Sequence, residues 1–161
     1  MPTPPYILDL RRRYGQGLLL LPGVCAVVVR ADLEQGREHL LLTRRSDTGR
    51  WALPAGIVEP GEQPAATIER ELVEETRVVA RAERLAWAVA DPELTYPNGD
   101  RCQFLTLVFR CRYLSGEALV GDEESTAVGW FPLDALPELD PVQLARIGHA
   151  LSAGERCAFE H

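Results

Sequence analysis

Six glutamates fall within a short stretch of this chain, at positions 59, 62, 69, 71, 74 and 75. Residues from about Gln63 to Thr76 read as a helix, with Pro64 at a first-turn position where its missing N–H costs nothing. At about 100° per residue, with Glu71 set at zero, Glu75 lies near +40° and Glu74 near −60°. Three carboxylates therefore share one arc. Ile68 and Leu72, with Ala65 beside them, form the adjoining apolar stripe that can dock on a sheet. Glu69 fits neither arc. Like charges at helical spacing cost a few tenths of a kcal/mol per pair, so such an arc calls for a reason. A solvated acidic face is the plain alternative. Against it, the carboxylates abut the apolar stripe instead of opposing it, and a Gly/Pro-rich turn brings Glu59 and Glu62 just before them. A cluster of hard oxygens suits Mg²⁺, with Mn²⁺ as a substitute.

The segment Gly56 to Val78 resembles the Nudix box of MutT-like hydrolases of bacterial type, G-x5-E-x7-R-E-U-x-E-E-x-G-U with U apolar. Gly56, Glu62, Arg70, Glu71, Leu72, Glu74, Glu75 and Val78 match. The flanking Trp51-Ala-Leu-Pro-Ala-Gly56 and the later Glu123-Glu124 and Gly129-Trp-Phe-Pro-Leu133 are similar to family features too, so the likeness covers roughly residues 20 to 140. Two positions depart from the pattern. Arg77 stands where the box has glycine, and Ala55 where a glycine usually precedes Gly56. A glycine at a helix C-terminus commonly serves a left-handed conformation, which costs arginine about a kcal/mol.

The resemblance implies a Nudix-type α/β/α sandwich and Mg²⁺-dependent hydrolysis of a nucleoside diphosphate linked to another moiety, such as ADP-ribose, a nucleotide sugar or a nucleoside triphosphate. By position, Glu71, Glu74 and Glu75 would hold metal, with the Ala55 carbonyl completing the shell. Arg70 would orient the glutamates by pairing with Glu62 or a neighbour. The general base would be a box glutamate such as Glu71, or a glutamate of a later loop, with Glu123 and Glu124 the candidates and Glu124 also a late metal ligand. Arg44, Arg45 and Arg50 precede the box and could meet phosphates. Tyr96 and Asn98 could contact a base or sugar, although Tyr-Pro-Asn-Gly serves equally well as a turn. Pro92 and Tyr96 both lie where the family's substrate-associated residues fall, which leaves ADP-ribose-type and dinucleoside polyphosphate substrates both open. A homodimer is common in the family. Two other classes compete: a catalytically silent Nudix-like module that binds a nucleotide and regulates, and an acidic interaction domain without ligand. Intact box glutamates favour the enzyme, and saturable Mg²⁺ binding separates it from the acidic domain.

The elements that must position these residues are legible in outline. Tyr6–Tyr14 predicts one or two helical turns. Gly23–Arg30 and Leu40–Arg44 read as strands joined by a polar hairpin loop, Asp32 to Glu38. Trp51–Glu59 is extended and ends at Pro60-Gly61. Val78–Ala90 and Gln103–Tyr113 read as longer strands, and Trp130-Phe131 as a short one. Pro141–Ala153 predicts a closing helix, with Asp140 as N-cap and Gly154 as stop. One central and one terminal helix among five or six strands predict an α+β or α/β sandwich around a mixed sheet. The 161 residues fit a single domain, 1–161, with an N-terminal extension of about 1–20, the box at 56–78 and a C-terminal helix at about 141–153.

Composition narrows the partners. Seventeen Lys+Arg against 24 Asp+Glu give a net charge of −7, which argues against nucleic acid and anionic membrane but does not exclude a phosphorylated small molecule, because a divalent cation can bridge two anions. All basic residues are arginine, so no lysine nucleophile or Schiff base exists. The longest apolar run, Gly17 to Val29, is interrupted by Pro22 and Gly23 and is too short to span a bilayer. The amino terminus lacks a signal-peptide pattern, and a cytoplasmic location is expected. Cys25, Cys102, Cys111 and Cys157 make no C-x-x-C pair; the first three are expected as small core residues.

Overall fold

The computed structural model describes residues 4–31, 36–154 and 156–160. Its organising element is β1 (Leu19–Ala31), whose run of apolar residues offers side chains to both faces, the pattern of a strand covered on both sides. On one side β1 runs parallel to β7 (Arg101–Ser115), from Leu19 opposite Cys102 to Val29 opposite Arg112. Its other side is shared. Gly23–Cys25 pair antiparallel with β4 (Ala55–Ile57), and Val29–Ala31 with β2 (Glu38–Arg45). β3 (Trp51–Ala52) and β8 (Ser125–Pro132) pair with β2, β5 (Val79–Ala90) and β6 (Leu94–Thr95) with β7, and β9 (Ala158–Phe159) with β5. The result is the expected mixed sheet.

Alternation along β1 sends neighbours to opposite faces. Val24, Ala26 and Val28 pack against Ile68 and Leu72 of α2 (Pro64–Thr76), while Cys25 and Val27 pack against Ile147 and Ala150 of α3 (Pro141–Leu151). The architecture is an α/β/α sandwich. Each fully buried Ile or Leu at these faces contributes about 1.5–3 kcal/mol, which ties the acidic helix firmly to the sheet. The apolar stripe expected on α2 is the face that docks. α1 (Pro5–Tyr14) stands apart. It packs Ile7 on Leu21 and Cys102, and its Arg11 guanidinium donates to the carbonyls of Gly17 and Arg101 at 2.7 Å each. Cys25, Cys102 and Cys111 are buried as expected, and burial pushes the Cys25 thiol up to about 11, which keeps it unreactive.

Several boundaries differ from expectation for physical reasons. α1 has 10 residues, more than the one or two turns expected. The strand holding Trp130-Phe131 begins at Ser125, because pairing with β2 from His39 to Arg45 orders the mixed small and polar residues before it. α3 ends at Leu151 with Ser152 as its cap, so Gly154 is not the stop. The Ala150 carbonyl instead accepts from Arg84 and Arg110 of the sheet, at 2.9 and 3.4 Å. Asp140 occupies the N-cap position, yet its carboxylate takes the Arg50 guanidinium at 2.7 Å and makes no cap bond. The expected hairpin joins β1 and β2 antiparallel; residues 32–35 of its loop lie outside the described residues.

The C-terminus of α2 is where arginine replaces the glycine. Arg77 adopts φ 60°, ψ 10°, the left-handed conformation, with its N–H donating to Val73. For a residue with a Cβ this costs about 1–2 kcal/mol. The last-turn carbonyls gain partners in return. Leu119 N–H donates to Thr76 at 3.0 Å, Gly121 N–H donates to Glu75 at 2.9 Å, and Arg77 Nη2 donates to the Gly121 carbonyl at 2.6 Å.

Candidate active site

The three carboxylates of the α2 arc meet three different surroundings. Glu71 is fully buried and Glu75 is 6 % exposed, while the Glu74 side chain is 46 % exposed. Docking of α2 sets this division: β4 lies over Glu71, and the segment after β7 lies over the end of the helix. Gly56 of β4 approaches so closely that a Cβ there would stand 2.3 Å from the Glu71 carboxylate. Both Glu71 carboxylate oxygens are buried without a hydrogen-bond partner among the described residues. Arg70 Nη1 is 3.2 Å from Oε1, in ion-pair range but not aligned for a hydrogen bond.

Arg70 itself is committed. Its Nε and Nη2 grip Glu62 at 2.9 and 3.0 Å, and its Nη1 reaches Glu74 at 3.0 Å. Glu62 also accepts from the Thr67 hydroxyl and the Glu59 N–H. The Arg70 guanidinium, aided by these bonds, holds the Glu62 carboxyl down to about 2. Glu62 and Arg70 thus brace the turn before α2 to the helix. Glu69 packs against the sheet, accepting the Ala82 N–H at 3.0 Å.

Burial acts on the other pair in the opposite direction. Desolvation raises Glu71 to about 7 despite the neighbouring Arg70, and raises Glu75 to about 8 with help from the charges of Glu71 and Asp122. A folded-state value above the ordinary 4.5 means that the native protein keeps protons the unfolded chain has released. Metal-free protein should therefore lose stability as pH rises from about 4.5 through 8. Each pH unit over which one group stays protonated is worth about 1.4 kcal/mol. Melting curves between pH 5 and 8.5 in EDTA should show this decline, and Mg²⁺ should restore stability most at the alkaline end. A melting temperature in EDTA that rises across the interval would contradict the assignment.

Two cavities lie at the β2–β3 region of the sheet, and only the smaller is lined by one of these carboxylates. The smaller, about 20 Å³, is lined by Thr43, Arg45, Leu53, Ala55, Glu75, Glu124 and Ser125. That is room for one water-sized body. The larger, about 290 Å³, is lined by Arg44, Arg50, Trp51 and Leu139 among others. Arg44 and Arg45 are adjacent at the irregularity where β2 pairs with β8, and each serves one cavity. Arg45 also holds Asp47 through two bonds of 2.9 and 2.6 Å.

The structure thus brings together Ala55, Glu75 and Glu124, with Glu71 behind Gly56. It does not bring every candidate in. Glu123 is exposed and lines neither cavity. Asn98 uses its side chain within its own turn, accepting the Asp100 N–H at 3.0 Å, and Tyr96 is exposed on the same loop. Among the described residues no three acidic, histidine or cysteine side chains converge closely enough to enclose an ion. Sequence reasoning missed Trp51 and Leu139 as cavity walls and Asp122 as a charge acting on Glu75. It also missed Gly121, whose Cβ would fall 1.8 Å from the Glu74 carbonyl oxygen. The only signal for Gly121 is its place directly before three acids. No helix among the described residues is long and apolar enough to cross a membrane.

Comparison with known proteins bears on the family and the fold. A MutT-like protein of Streptomyces ambofaciens is 39% identical over 115 residues, 71% of this chain and 66% of that protein. An ADP-ribose pyrophosphatase of Methanocaldococcus jannaschii is 31% identical over 116 residues, with the same two coverages. The chain thus spans just under two thirds of the length of these relatives. A crystal structure of an ADP-ribose pyrophosphatase from Streptococcus suis shares the fold, with TM-score 0.64 at 24% identity over 87% of this chain and 98% of that one. The sequence model of the NUDIX domain matches residues 19–150, from β1 to within one residue of the end of α3, and the chain belongs to the NUDIX domain family.

Proposed function

We propose that this protein hydrolyses a diphosphate linkage in a nucleoside diphosphate joined to another moiety, with ADP-ribose the first substrate to test and Mg²⁺ as cofactor. The observation that carries the reading is the Glu71 carboxylate, buried without a hydrogen-bond partner behind Gly56 and next in the arc to the buried Glu75. Arg70 lies in ion-pair range of one Glu71 oxygen, yet neither oxygen has a hydrogen bond and burial still disfavours the ionised form, a cost that a bound cation would remove. Carboxylates with a main-chain carbonyl are the donor set Mg²⁺ prefers. Glu71, Glu74, Glu75 and the Ala55 carbonyl are the groups that would hold it. Once bound, the ion supplies charge neutralisation for the non-bridging phosphate oxygens.

The chain's own residues supply the rest. Glu124, which shares the small cavity with Glu75, takes a proton from the attacking water as its oxygen bonds to phosphorus. The bridging P–O bond breaks, and the departing phosphate carries away the electron pair. Arg70 keeps Glu62 and Glu74 fixed, so the helix needs little reorganisation during the reaction. Arg44 and the aromatic face of Trp51 line the larger cavity, where Arg50 is paired with Asp140. The resemblance to the pyrophosphatase of M. jannaschii supports ADP-ribose as the leading choice.

The test is a hydrolysis panel with Mg²⁺ covering ADP-ribose, nucleoside triphosphates, dinucleoside polyphosphates and sugar nucleotides. ADP-ribose should yield AMP and ribose 5-phosphate, and excess EDTA should abolish the reaction. No hydrolysis of any member with Mg²⁺ or Mn²⁺, or undiminished activity in EDTA, would overturn the proposal.

A further inference from the structure

We infer that Arg77 is a positioning residue: its guanidinium ties the Asp122–Glu124 turn to the end of α2 and so holds Glu124 against Glu75. The inference rests on the reading above of Glu124 as the base. Arg77 alone among the described non-glycine residues has positive φ. A glycine would adopt that conformation without strain but could not make the 2.6 Å bond from Arg77 Nη2 to the Gly121 carbonyl. Gly121 is one residue before Asp122, and its own N–H donates to the Glu75 carbonyl at 2.9 Å. Gly121 is thus held through both its N–H and its carbonyl by two residues of the helix end, Glu75 and Arg77.

The segment between Gly116 and Gly121 is shaped to lie on this helix end. A Cβ at Gly116 would stand 2.4 Å from the Arg77 carbonyl oxygen, and one at Gly121 would stand 1.8 Å from that of Glu74. Leu119 N–H adds its bond to Thr76 at 3.0 Å. Beyond Gly121, the Asp122 carboxylate accepts the Glu124 N–H at 2.9 Å, and the Glu124 carbonyl accepts the Ser46 N–H at 2.7 Å. The turn is therefore held at both ends, by α2 through Arg77 and by the loop after β2 through Ser46. The strain of the left-handed conformation is thus met by what the Arg77 side chain holds.

The strain and the tether predict opposite signs in one variant, which a purely structural role cannot do. Arg77→Gly should melt at the same temperature as the parent or higher, yet lose about tenfold in kcat with KM changed less than about twofold. That is short of the hundredfold a full ångström of misplacement can cost. Hydrogen exchange at the Leu119 and Gly121 amides should quicken in the metal-free protein. Arg77→Lys, which keeps a cationic donor on a long side chain, should restore both slow exchange and most of the rate. Unchanged exchange in Arg77→Gly overturns the tether. Faster exchange with parental kcat overturns its catalytic role, and Glu124→Gln then shows where the fault lies. A parental rate there faults the assignment of Glu124, whereas a low rate faults only the coupling through Arg77.

Discussion

Glu75→Gln should lower kcat by about a thousandfold and, in metal-free protein at pH 8, raise the melting temperature by several degrees. The two effects come from one group. Glu75 is buried, and burial with the charges of Glu71 and Asp122 pushes it up to about 8. Without a cation, ionising it near neutral pH costs stability, and the isosteric amide removes that cost. A gain of 1 kcal/mol shifts the melting temperature of a domain this size by about 2–4 °C. The amide is also a poor partner for a divalent cation. Several kcal/mol of lost charge stabilisation for the reacting phosphate corresponds to about a thousandfold in rate. Calorimetric titration with Mg²⁺ should show weakened binding, and thermal melts should show the stability gain. A variant with parental kcat would remove Glu75 from the site.

The second large effect is expected at Gly56. Gly56→Ala should cut kcat at least about a hundredfold while leaving the protein folded. The added Cβ would stand 2.3 Å from the Glu71 carboxylate, and Glu71 is fully buried, so its carboxylate has to move within a packed interior. Displacement of about an ångström suffices for such a loss. The accompanying fall in melting temperature should be partly reversed in the double variant Gly56→Ala/Glu71→Asp, because the shorter side chain leaves room for the methyl. If the double variant is no more stable than Gly56→Ala alone, the clash is not with Glu71.

Much of this site is legible in the sequence, and the limit falls at a definite physical boundary. Ile68 and Leu72 announce the docking face of α2 because helical periodicity is local, and the same arithmetic puts Glu71, Glu74 and Glu75 on one arc. Which of the three is buried is not local. It depends on β4 reaching Glu71 through Gly56 and on residues 119–121 covering the helix end, contacts made by segments distant in the chain. Position relative to the box points to Glu124, and the structure places it beside Glu75. Asn98 illustrates the reverse case, since the residues that could contact a sugar also build a good turn, and the turn uses them. The largely buried pair of Arg146 with Asp91, at 2.7 Å, had no sequence signal, because 55 residues separate the partners. The left-handed exit at Arg77 follows from the box pattern, but its bond to Gly121 does not.

The parallel pairing of β1 with β7 has a consequence for how the chain is made. β1 leaves the ribosome early, yet its parallel neighbour follows roughly 80 residues later, and α3, which covers its second face, later still. At synthesis rates of about 5–20 residues per second, the interval is roughly 4–16 s. During that time Val24–Val29, six apolar residues after Pro22-Gly23 with no charge or proline among them, is a β-prone stretch whose composition favours association between nascent chains. The most deeply buried strand of the finished protein is therefore its most vulnerable segment during synthesis, and yield at high expression should depend on chaperone supply and growth temperature more than on the stability of the folded state.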